Sequence, residues 1–278
     1  MKRCIELASK NIGYTYPNPL VGSVVVYDNK IIGEGFHAKY GESHAEVNAI
    51  NSVKDKRLLK DSVLYVNLEP CNHHGKTPPC TEAIINNNIK KVVIGSQDPN
   101  NLVNGSGIEK LKLSGCDVSV GIMNKECTEL NKRFFTYHNH KRPYIILKWA
   151  ESKDGFISPI KSVETFGKVN WISGEDAKKL SHKWRSEEHS ILVGVQTIID
   201  DNPILTTRFV KGRSPLRFVL DPNSRIPVNS RVLSDTLKTI VLSKKKNKLI
   251  PNHTKEIEFD NINLIIECLY NMNIQSII

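Results

Sequence analysis

The stretches SHAEVNAI (43–50) and LEPCNHHGKTPPC (68–80) decide the fold of the first half of this chain. Each places chemically active residues beside the start of a predicted helix. We expect these helices over about 44–54 and 79–88, with a strand between them at SVLYVNLEP (62–70). A strand flanked by helices indicates an α/β sheet, in which ligands bind at the carboxyl ends of the strands.

Four residues in these stretches have the chemistry of a catalytic metal site. His44 and Glu46 open the first predicted helix, Cys71 follows the strand, and Cys80 lies in the first turn of the second helix. One imidazole and two thiolates leave the fourth tetrahedral position to water, which is typical of a catalytic zinc. Such an ion lowers the pKa of its water toward about 7, and a carboxylate that is not a ligand, here Glu46, can shuttle the proton.

The spacing of the two cysteines departs from the usual zinc deaminase pattern. That pattern is H-x-E followed by P-C-x-x-C, and it serves the hydrolysis of an amino group on a ring. Here HAE and PC match, but the eight residues NHHGKTPP separate Cys71 from Cys80. The alternative interpretation is a histidine at a helix N-terminus beside two buried free thiols.

The rest of the sequence predicts two domains with a boundary near residue 141, giving domains 1–141 and 142–278. The boundary lies in a mostly polar stretch, YHNHKRPY (137–144), which we interpret as a linker. In the first domain we also expect a helix over 2–12, a hairpin at 21–37, strands at 91–99 and 116–121, and helices over 107–114 and about 123–137.

The second domain is predicted to be another α/β sheet. We expect strands at 144–150, 190–199, 216–221 and 238–243, and helices within 173–189 and near 260–272. Ser173 and Asp176 predict an acidic capping box at the first of these helices. The sequence NIQSII (273–278) resembles the first half of a buried strand, so we expect this domain to be incomplete.

Composition narrows the possible classes. The 278 residues are 39% apolar and 24% charged, as in soluble globular proteins. No run approaches the roughly 20 apolar residues of a membrane span, and the start lacks a secretory signal, so we expect a cytoplasmic protein without a membrane partner.

Six scattered cysteines do not form a dense disulfide framework. The net charge of +10 would suit nucleic acid or a phosphorylated ligand, but the lysines lie among asparagines and isoleucines along the chain, which favours solvated surface lysines.

Four segments in order, TYPNPLVG (15–22), GEGFHAKYGESHAE (33–46), LEPCNHHGKTPPC and DPN (98–100), resemble the bifunctional deaminase-reductase family of bacterial riboflavin biosynthesis. In that family the longer Cys-to-Cys loop is typical. The resemblance implies a cytidine-deaminase-like three-layer α/β domain and a homo-oligomer. It also implies one zinc ion on His44, Cys71 and Cys80 and a proton shuttle at Glu46. The implied substrate is a diamino-pyrimidinone carrying a ribosylamino 5′-phosphate, which loses its amino group at ring carbon 2.

The residues of the loop between the cysteines are suited to binding an anionic substrate. Lys76 and Thr77 precede a predicted helix N-terminus, where free N–H groups and the helix dipole favour phosphate, and His73 adds a donor. By the same resemblance, Asn18 and His37 face the pyrimidine. Asp98 and Asn100 face the ribose. Ordinary turn chemistry is the alternative for Asn18, between two prolines, and for the Asp-Pro-Asn sequence.

Residues 144–221 resemble the reductase half of the same family, whose fold is similar to dihydrofolate reductase and which uses NADPH to reduce the ribosyl group to ribityl. No GxGxxG sequence supports a Rossmann fold. The resemblance places Lys148 and Asp201 near the transferred hydride and the sugar, with Asp201 also at the cofactor. It assigns the substrate and its phosphate to Arg185, Leu205 and Arg208. It assigns the nicotinamide cofactor to Glu151, Trp171 and Thr197. Core packing for Trp171, a turn at Asp201 and a solvated helix face for Arg185 are the alternatives.

One departure from the family concerns the end of the sequence. There the family's strand continues into an acidic residue and a glycine-rich turn that receives the cofactor phosphates, and this sequence stops before them. We therefore expect weak or absent NADPH turnover, from a fragment or a decayed reductase. The alternative functions are a deaminase acting on nucleic acid and a non-catalytic zinc module. The substrate loop disfavours the first, and Glu46 disfavours the second.

Overall fold

The structure is a computed structural model and describes residues 1–158, 171–244 and 254–278. These residues divide into two units, Met1–Lys141 and Arg142–Ile278. Each unit is built around its own sheet. In the part of the chain that the structure describes, no helix is long and apolar enough to cross a membrane.

The first unit contains a five-stranded mixed sheet. Its strands are β1 (Gly22–Tyr27), β2 (Lys30–Phe36), β3 (Val63–Leu68), β4 (Lys91–Ser96) and β5 (Asp117–Val120). Its helices are α1 (Lys2–Ser9), α2 (Ala45–Ser52), α3 (Cys80–Asn86), α4 (Ser106–Leu113), α5 (Asn124–Leu130) and α6 (Lys132–His140), and a 3-10 turn covers Lys56–Asp61. The sheet order is β2-β1-β3-β4-β5; β1 is antiparallel to both neighbours, and β3, β4 and β5 are parallel.

Apolar side chains of the central strands explain why α2 and α3 cover this sheet. Val25, Leu64 and Ile94 are completely buried in one cluster with Ala49 of α2 and Ile84 of α3. On β2, a Cβ at Gly35 would lie 2.3 Å from the backbone nitrogen of Ala49. The glycine therefore lets α2 pack directly on the strand, which fixes the position of the helix start.

The second unit contains a six-stranded parallel sheet. Its strands are β6 (Tyr144–Ile145), β7 (Ser190–Gly194), β8 (Leu216–Leu220), β9 (Thr239–Ser243), β10 (Lys255–Glu258) and β11 (Ser276–Ile277), and its helices are α7 (Glu175–Glu187), α8 (Val195–Asp201) and α9 (Ile262–Asn271). The order is β10-β9-β8-β7-β11-β6. Phe218 and Val219, neighbours on β8, belong to different apolar clusters because successive side chains point to opposite faces.

The predicted helix over 123–137 is wrong in its bounds, and residues 137–140 of the predicted linker are helical. Two helices, α5 and α6, replace the single helix, and they meet at Asn131. The Asn131 side chain accepts from the backbone nitrogen of Leu20 at 2.8 Å and donates to its carbonyl oxygen at 2.9 Å. Helix α6 then continues to His140 and ends at Lys141, which has a φ of 53° in the left-handed region.

Three predictions in the second unit are also corrected. The predicted strand at 190–199 changes into helix α8 after Gly194, and the strand at 144–150 is ordered as a strand only at Tyr144–Ile145. The N-cap of α7 is Gly174, without a side-chain cap, so the predicted capping box at Ser173 does not form. The strand β10 and the 3-10 turn were not predicted.

Candidate active site

Three potential ligand atoms converge beside the carboxyl end of β3. His44 is the N-cap of α2, Cys80 is the first residue of α3, and Cys71 follows β3. Their ligand atoms all lie within 4.8 Å of one another. His44 Nδ1 lies 3.2 Å from the Cys80 sulfur and 3.4 Å from the Cys71 sulfur. Nitrogen and sulfur atoms that share a tetrahedral zinc are about 3.5 Å apart, so this donor set fits that ion.

Hydrogen bonding within the triad separates the two thiols. The pKa of Cys71 falls to about 4, chiefly because its sulfur accepts a hydrogen bond from Cys80. The same bond raises the pKa of Cys80 well above its usual value, and the bond between His44 and Cys71 raises the pKa of His44. A thiolate is therefore favoured at Cys71, and a cation that displaced the shared protons would meet two sulfur ligands and one nitrogen.

Glu46 lies at the triad without being one of its ligands. It is in the first turn of α2, two positions after His44, and its side chain is only 3% exposed. Burial, and then the charge of Cys71, raise the pKa of its carboxyl to about 7. A buried carboxyl in this position can take up and release a proton near neutral pH.

Asn18 and His37 stand together beside the triad. The Asn18 amide nitrogen lies 3.0 Å from His37 Nε2, and His37 Nδ1 lies 3.2 Å from the carbonyl oxygen of Ser43. The His37 ring packs edge-on against the His44 ring, with 5.3 Å between centroids. Burial lowers the pKa of His37, so its ring is neutral, donates from Nδ1 and accepts at Nε2.

The loop between the cysteines lies on the surface. His73 and Lys76 are exposed, while Thr77 is half-buried. The ammonium of Lys76 lies over the ring of Tyr40, 4.0 Å from its centroid, and His74 lies 3.5 Å from the Glu82 carboxylate. Lys76 thus contacts Tyr40, four residues before His44. The phosphate contacts of this loop stay a prediction.

Asp98 and Asn100 form a turn after β4. Asp98 is buried, accepts a hydrogen bond of 2.7 Å from the Asn100 nitrogen, and has its pKa raised to about 7 mainly by burial. The Asn100 side chain accepts from the backbone nitrogen of Leu102 at 3.2 Å.

The sequence analysis missed Glu69, a buried carboxylate that accepts a hydrogen bond from the backbone nitrogen of Asp98 in this turn. Its only sequence signal was a charged residue between an apolar strand and Pro70-Cys71.

In the second unit, His182 connects the two predicted phosphate-binding arginines. Arg208 donates its backbone N–H to His182 Nδ1 at 3.0 Å, and the Arg185 guanidinium lies 3.4 Å from His182 Nε2. Burial and the neighbouring Arg208 lower the pKa of Arg185. Burial, followed by both arginines, lowers the pKa of His182 to about 4. In the described ranges neither guanidinium forms an ion pair with a carboxylate, so two cations here lack an acidic partner.

The other reductase candidates are distributed over the second unit. Lys148 and Glu151 are exposed on the segment after β6, and Glu151 accepts from the Trp149 indole at 3.0 Å. Lys178 lies 3.8 Å above the exposed Trp171 ring, so Trp171 is not a core residue. Thr197 is exposed on α8 and Asp201 ends it.

Leu205 differs from the other substrate candidates because its side chain is 3% exposed and packs in an apolar cluster with Ile191 and Ile198. Its backbone has a φ of 61°. The Leu205 side chain is therefore a core residue, and its contact with the substrate stays a prediction.

Fold and site together define a zinc-dependent deaminase of the cytidine deaminase class joined to a second α/β domain. Residues 1–96 match the cytidine and deoxycytidylate deaminase zinc-binding region, and residues 143–278 match the RibD C-terminal domain. The chain belongs to the RibD family of riboflavin biosynthesis proteins, which combine a zinc-dependent pyrimidine deaminase with an NADPH-dependent reductase. The predicted fold class and the zinc and NADPH cofactors are confirmed.

The similarity extends over both units. The riboflavin biosynthesis protein RibD of Aquifex aeolicus is 46% identical over 250 residues, which cover 89% of this chain and 68% of that protein. The Escherichia coli RibD is 37% identical over 84% of this chain and 65% of its own length. A Thermotoga maritima deaminase/reductase crystal structure, 40% identical, covers the whole chain with a TM-score of 0.91, and 78% of that structure is matched. These findings do not favour a nucleic-acid deaminase or a decayed reductase.

Proposed function

We propose that the first unit removes the amino group at ring carbon 2 of 2,5-diamino-6-(5-phosphoribosylamino)pyrimidin-4(3H)-one, with release of ammonia. The observation that supports this most directly is the buried Glu46 carboxyl beside the triad of His44, Cys71 and Cys80. The Thermotoga relative carries the name of a diaminohydroxyphosphoribosylaminopyrimidine deaminase.

In this mechanism His44, Cys71 and Cys80 hold the zinc ion, which when bound makes hydroxide available at neutral pH. Glu46 accepts one proton of the attacking water and delivers it to the pyrimidine ring; it then accepts the proton of the added hydroxyl group and delivers it to the departing amino group. Water adds to ring carbon 2, the carbon–nitrogen bond breaks, and the products are the ring carbonyl compound and ammonia.

The surrounding residues bind the substrate in this proposal. Asn18 uses its amide nitrogen on His37, which leaves its carbonyl oxygen to accept from the pyrimidine. Lys76 and His73, exposed on the loop between the cysteines, bind the phosphate, assisted by Thr77. Asp98 and Asn100 bind the ribose.

For the second unit we propose that Arg185 and Arg208 hold the phosphate of the deaminated product while NADPH reduces the sugar. Two guanidinium groups without an acidic partner in the described residues suit a dianion. Lys148 and Asp201 act at the sugar, and Glu151, Trp171 and Thr197 contact the cofactor. A homo-oligomer and a cytoplasmic location also stay predictions; all six cysteines are free thiols, which agrees with a reducing compartment.

The Glu46→Gln variant tests the deaminase proposal. It should keep about one zinc per chain and lose ammonia release by a factor on the order of 10² to 10⁴. Glu42→Gln, which neutralises an exposed carboxylate four residues earlier, should behave as the parent. Equal deamination by Glu46→Gln and the parent would disprove the proposed role of Glu46.

A further inference from the structure

Glu69 accepts four backbone hydrogen bonds, two from the segment between β4 and α4 and two from the first turn of α4. Its carboxylate is buried, with the residue 4% exposed. One oxygen, Oε2, accepts from the backbone nitrogens of Asp98 at 3.1 Å and Gly105 at 3.0 Å. The other, Oε1, accepts from the nitrogens of Gly107 at 2.9 Å and Ile108 at 3.2 Å. A single oxygen therefore holds both ends of the loop 98–105, and the second oxygen caps the start of α4.

The start of α4 also lies directly against the segment that carries Cys71. A Cβ at Gly107 would lie 2.0 Å from the carbonyl oxygen of Pro70, so the two backbones touch here. The Asn72 amide donates to the carbonyl oxygen of Ser106 at 3.4 Å. Residues on both sides of Cys71 are thus bound to the same helix start that Glu69 caps.

We propose that Glu69 is a positioning residue of the deaminase, which holds the Asp98–Asn100 turn in register with Cys71 through the start of α4. This inference rests on the proposed function, because it concerns the loop assigned to the ribose. Glu69 is directed at backbone N–H groups, so it acts on the substrate through the turn.

The side chain at this position must accept and carry no donor. An ionised carboxylate offers about four lone-pair sites and no N–H, and four backbone donors use all of them. Glutamine has the same shape, but its NH₂ group would face two backbone N–H groups and leave these donors without an acceptor. Aspartate keeps the charge but is one methylene shorter, so it reaches only some of the four donors.

The test compares Glu69→Gln, Glu69→Asp and the control Glu109→Gln with the parent, using 2,5-diamino-6-(5-phosphoribosylamino)pyrimidin-4(3H)-one. Glu109 is an exposed acid in the first turn of the same helix. We expect Glu69→Gln to raise KM on the order of tenfold while zinc content stays at the parent value and kcat changes less than KM. Glu69→Asp should give an intermediate KM, and Glu109→Gln should match the parent.

Gly107→Ala is a second variant in case Glu69→Gln does not fold. It keeps the carboxylate but pushes α4 away from Pro70, and it should raise KM in the same manner. An unchanged KM in Glu69→Gln, or parallel loss of zinc, kcat and thermal stability in all three Glu69 and Gly107 variants, would overturn the inference. Failure of the parent to release ammonia from this substrate would instead disprove the proposed function.

Discussion

The side-chain nitrogen of Asn18 lies 3.0 Å from Nε2 of His37, which determines the atoms that each residue can offer to a ligand. His37 accepts from Asn18 at Nε2 and donates its Nδ1 proton to the carbonyl oxygen of Ser43. Both ring nitrogens are therefore occupied, and the ring orients Asn18 as an acceptor. The proposed substrate carries N–H donors beside ring carbon 2, which such an acceptor would bind.

We predict that Asn18→Ala raises KM of the deaminase by about tenfold, the effect of losing one or two hydrogen bonds in a closed site. Zinc content should stay at the parent value, because Asn18 contacts His37 and not the triad. The matched control is His74→Ala, an exposed residue paired only loosely with Glu82 at 3.5 Å. Steady-state ammonia release measures both, and an equal KM in the two variants would contradict the assignment of Asn18.

For the reductase we predict that Arg185→Ala weakens binding of the phosphorylated substrate by a factor on the order of 10 to 100, through loss of a charge-assisted hydrogen bond. NADPH oxidation with the deaminated product measures this effect. Lys179→Ala removes an exposed charge from the same helix and is the control. If both variants lost affinity equally, a general effect of positive charge would explain the result better than a phosphate clamp.

His138 makes the first unit sensitive to acid. Its ring packs against Phe134, 4.4 Å between centroids, and burial followed by the charge of Lys141 lowers its pKa from 6.5 to about 4. Between these two pH values the unfolded chain binds a proton that the folded chain does not, so stability falls as the pH is lowered through this window. We predict that His138→Phe reduces the loss of melting temperature between pH 7 and pH 5 by about 3 °C.

The control for this pH experiment is His140→Phe, two residues further on the same helix and exposed. It should leave the pH dependence of the melting temperature unchanged. The same pH profile in both variants would assign the acid sensitivity to other groups.

Arg217 and Asp235 form a largely buried ion pair in the second unit. Arg217 is completely buried, and its guanidinium donates to Asp235 at 2.9 and 2.5 Å. Asp235→Ala would leave a buried charge without its carboxylate, and we expect the free energy of unfolding to fall by about 3 to 5 kcal/mol. Asp176→Ala, at a fully exposed carboxylate, should change it by less than about 0.5 kcal/mol. Urea unfolding measures both, and similar values for the two would show that the pair is unimportant.

The triad was predictable because each of its residues is adjacent to a strand end or a helix start, and the alternation of these elements is visible in the sequence. His44, Cys71 and Cys80 needed no long-range information beyond the sheet rule that brings these ends together. Glu69 could not be found in this way. Its partners lie 29 to 39 residues away and are backbone N–H groups. Every residue except proline has such a group, so the sequence does not indicate which of them bind Glu69.

The errors in the element bounds have similar causes. Residues 190–199 are rich in β-branched side chains, and a run of this length fits a strand as well as a strand followed by a helix. Only the packing shows that Val195 and Ile198 are buried from one helical face. The division between α5 and α6 depends on Asn131, whose partner Leu20 is 111 residues away.

The placement of β11 has a consequence for synthesis. Ser276 and Ile277 lie between β6 and β7, so in the described sheet these two strands are joined through residues made more than eighty positions after β7. A nascent chain that has released β7, β8 and β9 from the ribosome still presents an open edge where β11 belongs. Until β11 is made, that edge is available to pair with other chains.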